Sequence, residues 1–63
     1  MIYKPENPGK AGVWYYIIST GDRYLLMAHS VRHNADRIIR EYSTKAAIEA
    51  ARKLNRKLGV EKA

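Results

Sequence analysis

No cysteine occurs among the 63 residues, which excludes a disulfide framework and a thiolate zinc site and accords with a reducing compartment. Long apolar runs are also missing. The N-terminus, Met1-Ile2-Tyr3-Lys4-Pro5, has no signal-peptide core, and the longest apolar run, Val13-Trp14-Tyr15-Tyr16-Ile17-Ile18, falls far short of the roughly 20 residues of a membrane span. The expectation is a protein that is not secreted and works in the cytoplasm, nucleoid or nucleus, without a membrane partner.

Catalytic constellations are lacking as well. Glu6, Asp22, Asp36, Glu41, Glu49 and Glu61 are scattered over arm, turns, strand and helix surface, and no two make a convincing acid–base pair. His29 and His33 lie four apart on an expected strand, hence about 13 Å apart at ~3.3 Å per residue, too far to share a metal. Ser19, Ser30 and Ser43 carry no nucleophile motif, and the Gly9 to Gly12 stretch is not a phosphate-binding loop opening a helix. A chain this short also has little volume for a pocket. The sequence therefore points away from an enzyme, a metal and a cofactor.

What is abundant is positive charge. Twelve Lys and Arg against six Asp and Glu give +6, which favours polyanionic partners such as nucleic acid, an acidic protein or an anionic surface, although basic composition also serves solubility. One domain is the ceiling for this length, because such a chain buries only ~60% of its unfolded surface. Its core supplies about 3–5 kcal/mol at most. Self-association remains as an additional source of stability.

Residues 1–12 hold two prolines, two glycines, Asn7, Lys4 and Lys10, a composition that predicts a disordered or extended arm. A single domain, 13–63, follows. The β-branched and aromatic run from Val13 predicts a first strand. Gly21-Asp22 predicts a two-residue hairpin turn, with Tyr24 to Val31 as the second strand. Turn residues at His33-Asn34-Ala35-Asp36 then lead to a third strand over Arg37-Ile38-Ile39-Arg40-Glu41-Tyr42. Ser43 or Thr44 suits a helix N-cap, Ala46, Ala47, Ala50 and Ala51 favour helix, and Gly59 suits its stop, giving a helix over 44–58. Ala47, Ile48, Ala50, Ala51, Leu54 and Leu58 share one apolar arc, opposite Lys45, Glu49, Arg52 and Arg56. Lys53, Arg56 and Lys57 in the last turn complement the helix dipole without any ligand. The fold class is α+β: a three-stranded antiparallel sheet packed on one C-terminal helix, βββα.

A Gly21-Asp22 turn pairs Thr20 with Arg23, Ile18 with Leu25, Tyr16 with Met27 and Trp14 with His29, and register decides which residues share a face. With Arg32 opposite Arg37 across the second turn, one face collects Trp14, Tyr16, Ile18, Leu25, Met27, Val31, Ile38 and Tyr42. The other collects Val13, Tyr15, Ile17, Tyr24, Leu26, Ala28, Ser30, Arg32, Arg37, Ile39 and Glu41. One helix covers one face. The bulkier first set is the expected core; Ala28 argues the reverse, since a small residue admits a helix, and would leave Trp14, Tyr16, His29 and Arg40 exposed.

The order of elements, with Tyr42-Ser43-Thr44-Lys45 at the strand–helix junction, resembles two related DNA-binding families, the N-terminal arm-binding domain of tyrosine-type integrases and the plant ethylene-response-factor type. In both, an aromatic, one intervening residue and a Thr precede an alanine-rich helix, and the sheet reads the major groove. The likeness spans about residues 13 to 58; the alanine usual in those families falls at Ile48 here and the frequent glycine at Glu41. It implies sheet contacts from Arg32 and Arg37. Ser43 to Ala47 with Ala50, Ala51 and Leu54 is also similar to the last helix of double-stranded-RNA-binding domains, without their N-terminal helix or lysine cluster, and implies Lys45 and Arg52 as RNA contacts.

The leading expectation is thus non-enzymatic binding of duplex DNA through the exposed sheet face and basic arm, by Lys10, Tyr15, Arg23, Tyr24, Arg32, Arg37 and Lys45. The alternatives are a protein-interaction module or homodimer using the same face, through Val13, Ile17, Leu26 and Ile39, and binding of double-stranded RNA.

Overall fold

The computed structural model describes residues 1–7 and 11–61. The β-branched and aromatic run Val13–Thr20 forms β1, Arg23–Ser30 forms β2, and Ala35–Tyr42 forms β3, in one antiparallel sheet of order β1-β2-β3; Ala46–Leu58 forms α1. The expected βββα architecture is the one that forms.

The two hairpins are closed by different chemistry. Gly21 takes φ 63°, a positive value that costs glycine little, at the first position of a two-residue turn. The β1–β2 pairing that results is the expected one: Thr20 faces Arg23, Ile18 faces Leu25, Tyr16 faces Met27 and Trp14 faces His29. The second turn departs from expectation. Arg32 does not face Arg37. Residues 31–34 form the turn, with Asn34 at φ 47° and the Ser30 hydroxyl accepting from the His33 N–H at 3.3 Å. Ser30 consequently faces Ala35, and Ala28 faces Arg37. Asn tolerates the left-handed conformation, which lets the chain reverse earlier than the turn residues alone implied.

Further along β3 the register shifts between Leu26 and Met27: Met27 faces Ile38, while Leu26 faces Arg40. Ile39 is the extra residue of a β-bulge. Beyond it every side chain of β3 changes face relative to an unbulged strand, so Arg40 and Tyr42 lie on the side of Leu26 and Tyr24, and Glu41 on the side of Leu25.

The helix covers the face opposite to the expected one. Its buried alanines, Ala47 and Ala51, pack with Ile17 and Leu26, flanked by Tyr3, Tyr15, Tyr24, Tyr42, Ile48 and Leu54. Trp14, Tyr16, Ile18, Leu25, Met27 and Ile38 are therefore not the core beneath the helix, and Val31 is exposed in the turn. Tyr42, expected beside them, is on the helix side. The physical reason is distance. A helix face of alanines gains contact only by approaching closely, and Ile17 and Leu26, which pack on Ala47 and Ala51, admit it where Trp14 and Tyr16 would hold it off.

The helix also begins later than expected. Its first residue is Ala46, with Lys45 at the N-cap position and no side-chain cap there, while the Thr44 hydroxyl accepts from the Ala46 N–H at 3.3 Å. Gly59 ends it as expected, at φ 77°. The Gly59 N–H donates to Arg56 O at 3.1 Å and the Val60 N–H to Asn55 O at 3.0 Å, a Schellman pair that turns Val60 into the core, where it is buried.

Ile2 and Tyr3 of the arm dock along β1, and Glu6 and Asn7 bend the chain. The Ile2 N–H donates to Ile17 O at 2.9 Å and the Ile17 N–H to Tyr3 O at 3.0 Å. Two residues earlier on the same edge, a side chain replaces the arm. Asn55, fully buried on α1, accepts from the Tyr15 N–H through Oδ1 at 2.9 Å and donates from Nδ2 to Tyr15 O at 2.9 Å, as a neighbouring strand would. Nδ2 also donates to the Tyr3 hydroxyl at 3.0 Å. That hydroxyl donates to Glu61 Oε2 at 2.6 Å.

Removing this amide strands a buried N–H and a buried C=O of Tyr15. Asn55→Leu is expected to lower stability by about 2–4 kcal/mol, from ~1–3 kcal/mol per orphaned group, read as a shift in the urea midpoint. A loss below about 0.5 kcal/mol, the range of an inconsequential surface change, would show that water replaces the amide freely.

Candidate functional site

With α1 on one side, the sheet presents two surfaces of different chemistry. On the open side Trp14, Tyr16, Ile18, Leu25, Met27 and Ile38 form an apolar and aromatic field, edged by Arg23, His29, Asp36 and Glu41. On the helix side, α1 lies over Ile17 and Leu26 and leaves the flank toward β3 uncovered. Arg37 and Arg40 occupy that flank, with the Arg40 guanidinium 5.0 Å from the centre of the Tyr42 ring.

At the second-turn end of this flank is a recess of about 390 Å³ lined by Val13, Tyr15, Ala28, Ser30, His33, Ala35, Asp36 and Arg37. Its floor is small and apolar, and Arg37 is the charged group of the helix-side face that borders it.

The residues expected to form one site are dispersed. Arg37 lies on the helix-side flank. Arg32 is exposed in the turn and Lys45 is exposed at the helix start. Arg23 is on the open face, its Nη1 3.8 Å from Glu41 Oε1. Tyr15 and Tyr24 are half-buried against the core, so neither offers a free stacking surface. Lys10 lies outside the described residues. Of the expected apolar interface, Ile17 and Leu26 are core residues at 0% and 3% exposure and cannot meet a partner. Val13 lines the recess, and Ile39 is exposed at the bulge.

The open face contains a network the sequence did not single out. Asp36 Oδ1 accepts from the Tyr16 hydroxyl at 2.8 Å and lies 2.9 Å from His29 Nδ1, which donates to it because an ionised carboxylate has only acceptors. The Trp14 ring stands 4.9 Å from His29 and 5.2 Å from Tyr16, centre to centre. Reading Ser30 opposite Ala35 would have placed His29 opposite Asp36 and revealed the pair. Among the described residues the side-chain hydrogen bond of His29 is the one to Asp36.

Charges elsewhere partly cancel. Glu49 lies 3.9 Å from Arg52 and 3.5 Å from Arg56, and Arg52 also sits over the Tyr3 ring at 5.4 Å. Arg32, Arg37, Arg40, Lys45, Lys53 and Lys57 have no acidic partner within ion-pair distance among the described residues. Among those residues no group of three or more His, Cys, Asp or Glu side chains could hold a metal ion, and no helix is long and apolar enough to cross a membrane. Compared with protein-family models, curated proteins and solved structures, the chain matches none.

Burial, reinforced by the bond to Asp36, pushes the Tyr16 phenol from 10.0 up to about 12. Burial and the bond to Glu61 raise Tyr3 equally far. Bonds from Tyr16 and then His29 hold Asp36 below the ordinary carboxylate value of 3.8. The raised phenols contribute stability that is complete below pH 10.0 and lost as pH climbs toward about 12. Asp36, being depressed, contributes above pH 3.8 and loses that contribution as pH falls through its folded value. Tyrosinate absorbance is expected to show Tyr3 and Tyr16 titrating late, and Tyr16→Phe to remove its late step while returning Asp36 toward 3.8 in an NMR titration. An unchanged Asp36 would break the proposed coupling.

Proposed function

We propose that this is a non-enzymatic nucleic-acid-binding domain that holds duplex DNA by its backbone, through the helix-side flank of β3 and the start of α1. The observation that carries the reading is the segregation of charge. Arg37 and Arg40 stand side by side on the uncovered flank, with no acidic partner among the described residues, and the exposed Lys45 follows at the strand–helix junction. Opposite Ala28 and Leu26, which are two residues apart in β2, the two arginines are about 7 Å apart at ~3.3 Å per residue.

The open face suits phosphate poorly. It sets one arginine, already beside Glu41, against the carboxylates of Glu41 and Asp36. The interface expected on the sheet face thus stays on the side of Ala28 and Arg37 but, with the helix lying over Ile17 and Leu26, shrinks to the β3 flank and loses Arg23, Tyr15 and Tyr24. What remains is backbone contact without stacked bases, which favours duplex over single strands and affinity over sequence readout. Double-stranded RNA, the alternative built on Lys45 and Arg52, would use the helix instead of β3.

The test is fluorescence anisotropy on random-sequence duplex DNA, duplex RNA and single strands over a salt series. Arg37→Ala and Arg40→Ala are each expected to weaken DNA binding and to reduce the slope of log K against log salt by about 0.9. Arg23→Ala is expected to change neither. Absence of binding at low salt, or equal losses from Arg23→Ala and Arg37→Ala, would overturn the proposal.

A further inference from the structure

We propose that the open face of the sheet is covered by a second copy of this chain, two sheets packing face to face with a helix outside each. This inference rests on the distribution of apolar side chains and does not depend on the nucleic-acid reading.

The first reason is that the sheet carries large apolar side chains on both faces. Beneath the helix, Ile17 and Leu26 with the alanines Ala47 and Ala51 form the core, and Tyr15, Tyr24 and Tyr42 pack against it. Trp14, Ile18, Leu25, Met27 and Ile38 are on the other side, which no element of the described chain covers, and Ile38 is 61% exposed. A second apolar face with no helix of its own suits one half of a two-sheet core.

The second reason is electrostatic. Two copies of a +6 chain repel at most orientations. The open face is the exception, because Arg23 at one end, beside Glu41, and the Asp36 carboxylate at the other place both signs on it. A symmetric pair can exchange these partners, since an isologous interface sets the same patch against itself.

The third reason is size. Three strands of eight residues, at ~3.3 Å per residue and ~4.8 Å between strands, give a face of roughly 380 Å² in projection. With side-chain relief this becomes on the order of 500 Å² per copy, or about 1,000 Å² in all, at the lower limit for a specific interface. Met27 and Ile38, facing each other across β2 and β3 near the middle of the sheet, supply the centre of the contact, beside Tyr16, which is itself only 8% exposed.

The free edge of β3 is a poorer meeting place. It carries Arg37 and Arg40 and is broken by the bulge at Ile39, two devices that discourage strand addition. The outer edge of β1 is already taken by Tyr3 and Asn55.

Analytical ultracentrifugation of the full chain at high ionic strength is expected to show a concentration-dependent monomer–dimer equilibrium. Trp14, the single tryptophan, should shift to longer emission wavelength as the dimer dissociates on dilution. Ile38→Glu, at a side chain exposed in the single chain, should leave the circular dichroism spectrum unchanged and weaken dimerisation about 100-fold. Arg40→Glu, on the helix-side flank, should leave it intact. A chain that stays monomeric up to its solubility limit overturns the proposal. So does a dimer that survives Ile38→Glu but is lost in Arg40→Glu. Retained dimerisation without DNA binding would sink the nucleic-acid reading and leave this one standing.

Discussion

The buried amide of Asn55 is the constraint around which the rest of the molecule is arranged. A polar residue at the centre of a helix face survives burial only when each of its hydrogen-bonding groups is met, and here the partners come from three separate stretches of chain. Tyr15 supplies a strand N–H and C=O, Tyr3 supplies a hydroxyl from the arm, and the Asn55 carbonyl receives the Val60 N–H that closes the helix. The helix can take only the position over the sheet at which this residue reaches the edge of β1. That position requires close approach, which the alanines Ala47 and Ala51 of α1 permit.

From that placement the functional geography follows. Because α1 is drawn toward the β1 edge by Asn55, it leaves the β3 side of its own layer uncovered, and the bulge at Ile39 sends Arg40 and Tyr42 to that uncovered flank. An unbulged β3 would have put Arg40 beside Ile38 on the apolar face. One extra residue thus separates the basic surface from the apolar one, and each proposed contact uses a surface that the other leaves free.

Element identity was legible in the sequence because each element carries local chemistry: β-branched and aromatic residues in β1, Gly21 in the first turn, alanines in α1 and Gly59 at its end. The first hairpin register was legible for the same reason. The second was not, since Asn34 and Ser30 build a four-residue turn whose geometry depends on a hydroxyl contact, and the bulge leaves no mark on hydrophobic periodicity. The choice of buried face went to bulk, where contact distance decides. The signal that could have corrected it was Asn55 itself, a polar residue in the row Ala47, Ala51, Asn55, where four-residue spacing otherwise reads as core. For the candidate site, Arg37 and Lys45 were visible as basic residues, but the separation of Arg37 from Arg23 follows from strand register, and the loss of Tyr15 and Tyr24 as contacts from the face the helix takes.

Tyr3 and Glu61, 58 positions apart, share a hydrogen bond, and Asn55 binds both Tyr3 and the β1 edge. Arm, strand edge and helix end are therefore one cooperative unit that opens or closes together. The β1–β2 hairpin can form from its local turn at small entropic cost, whereas this clasp closes nearly the largest loop the chain contains. The same residues that settle where the helix lies also make its last turn wait for the first strand-like residues of the chain, so that the two ends of the described fold are secured by a single event.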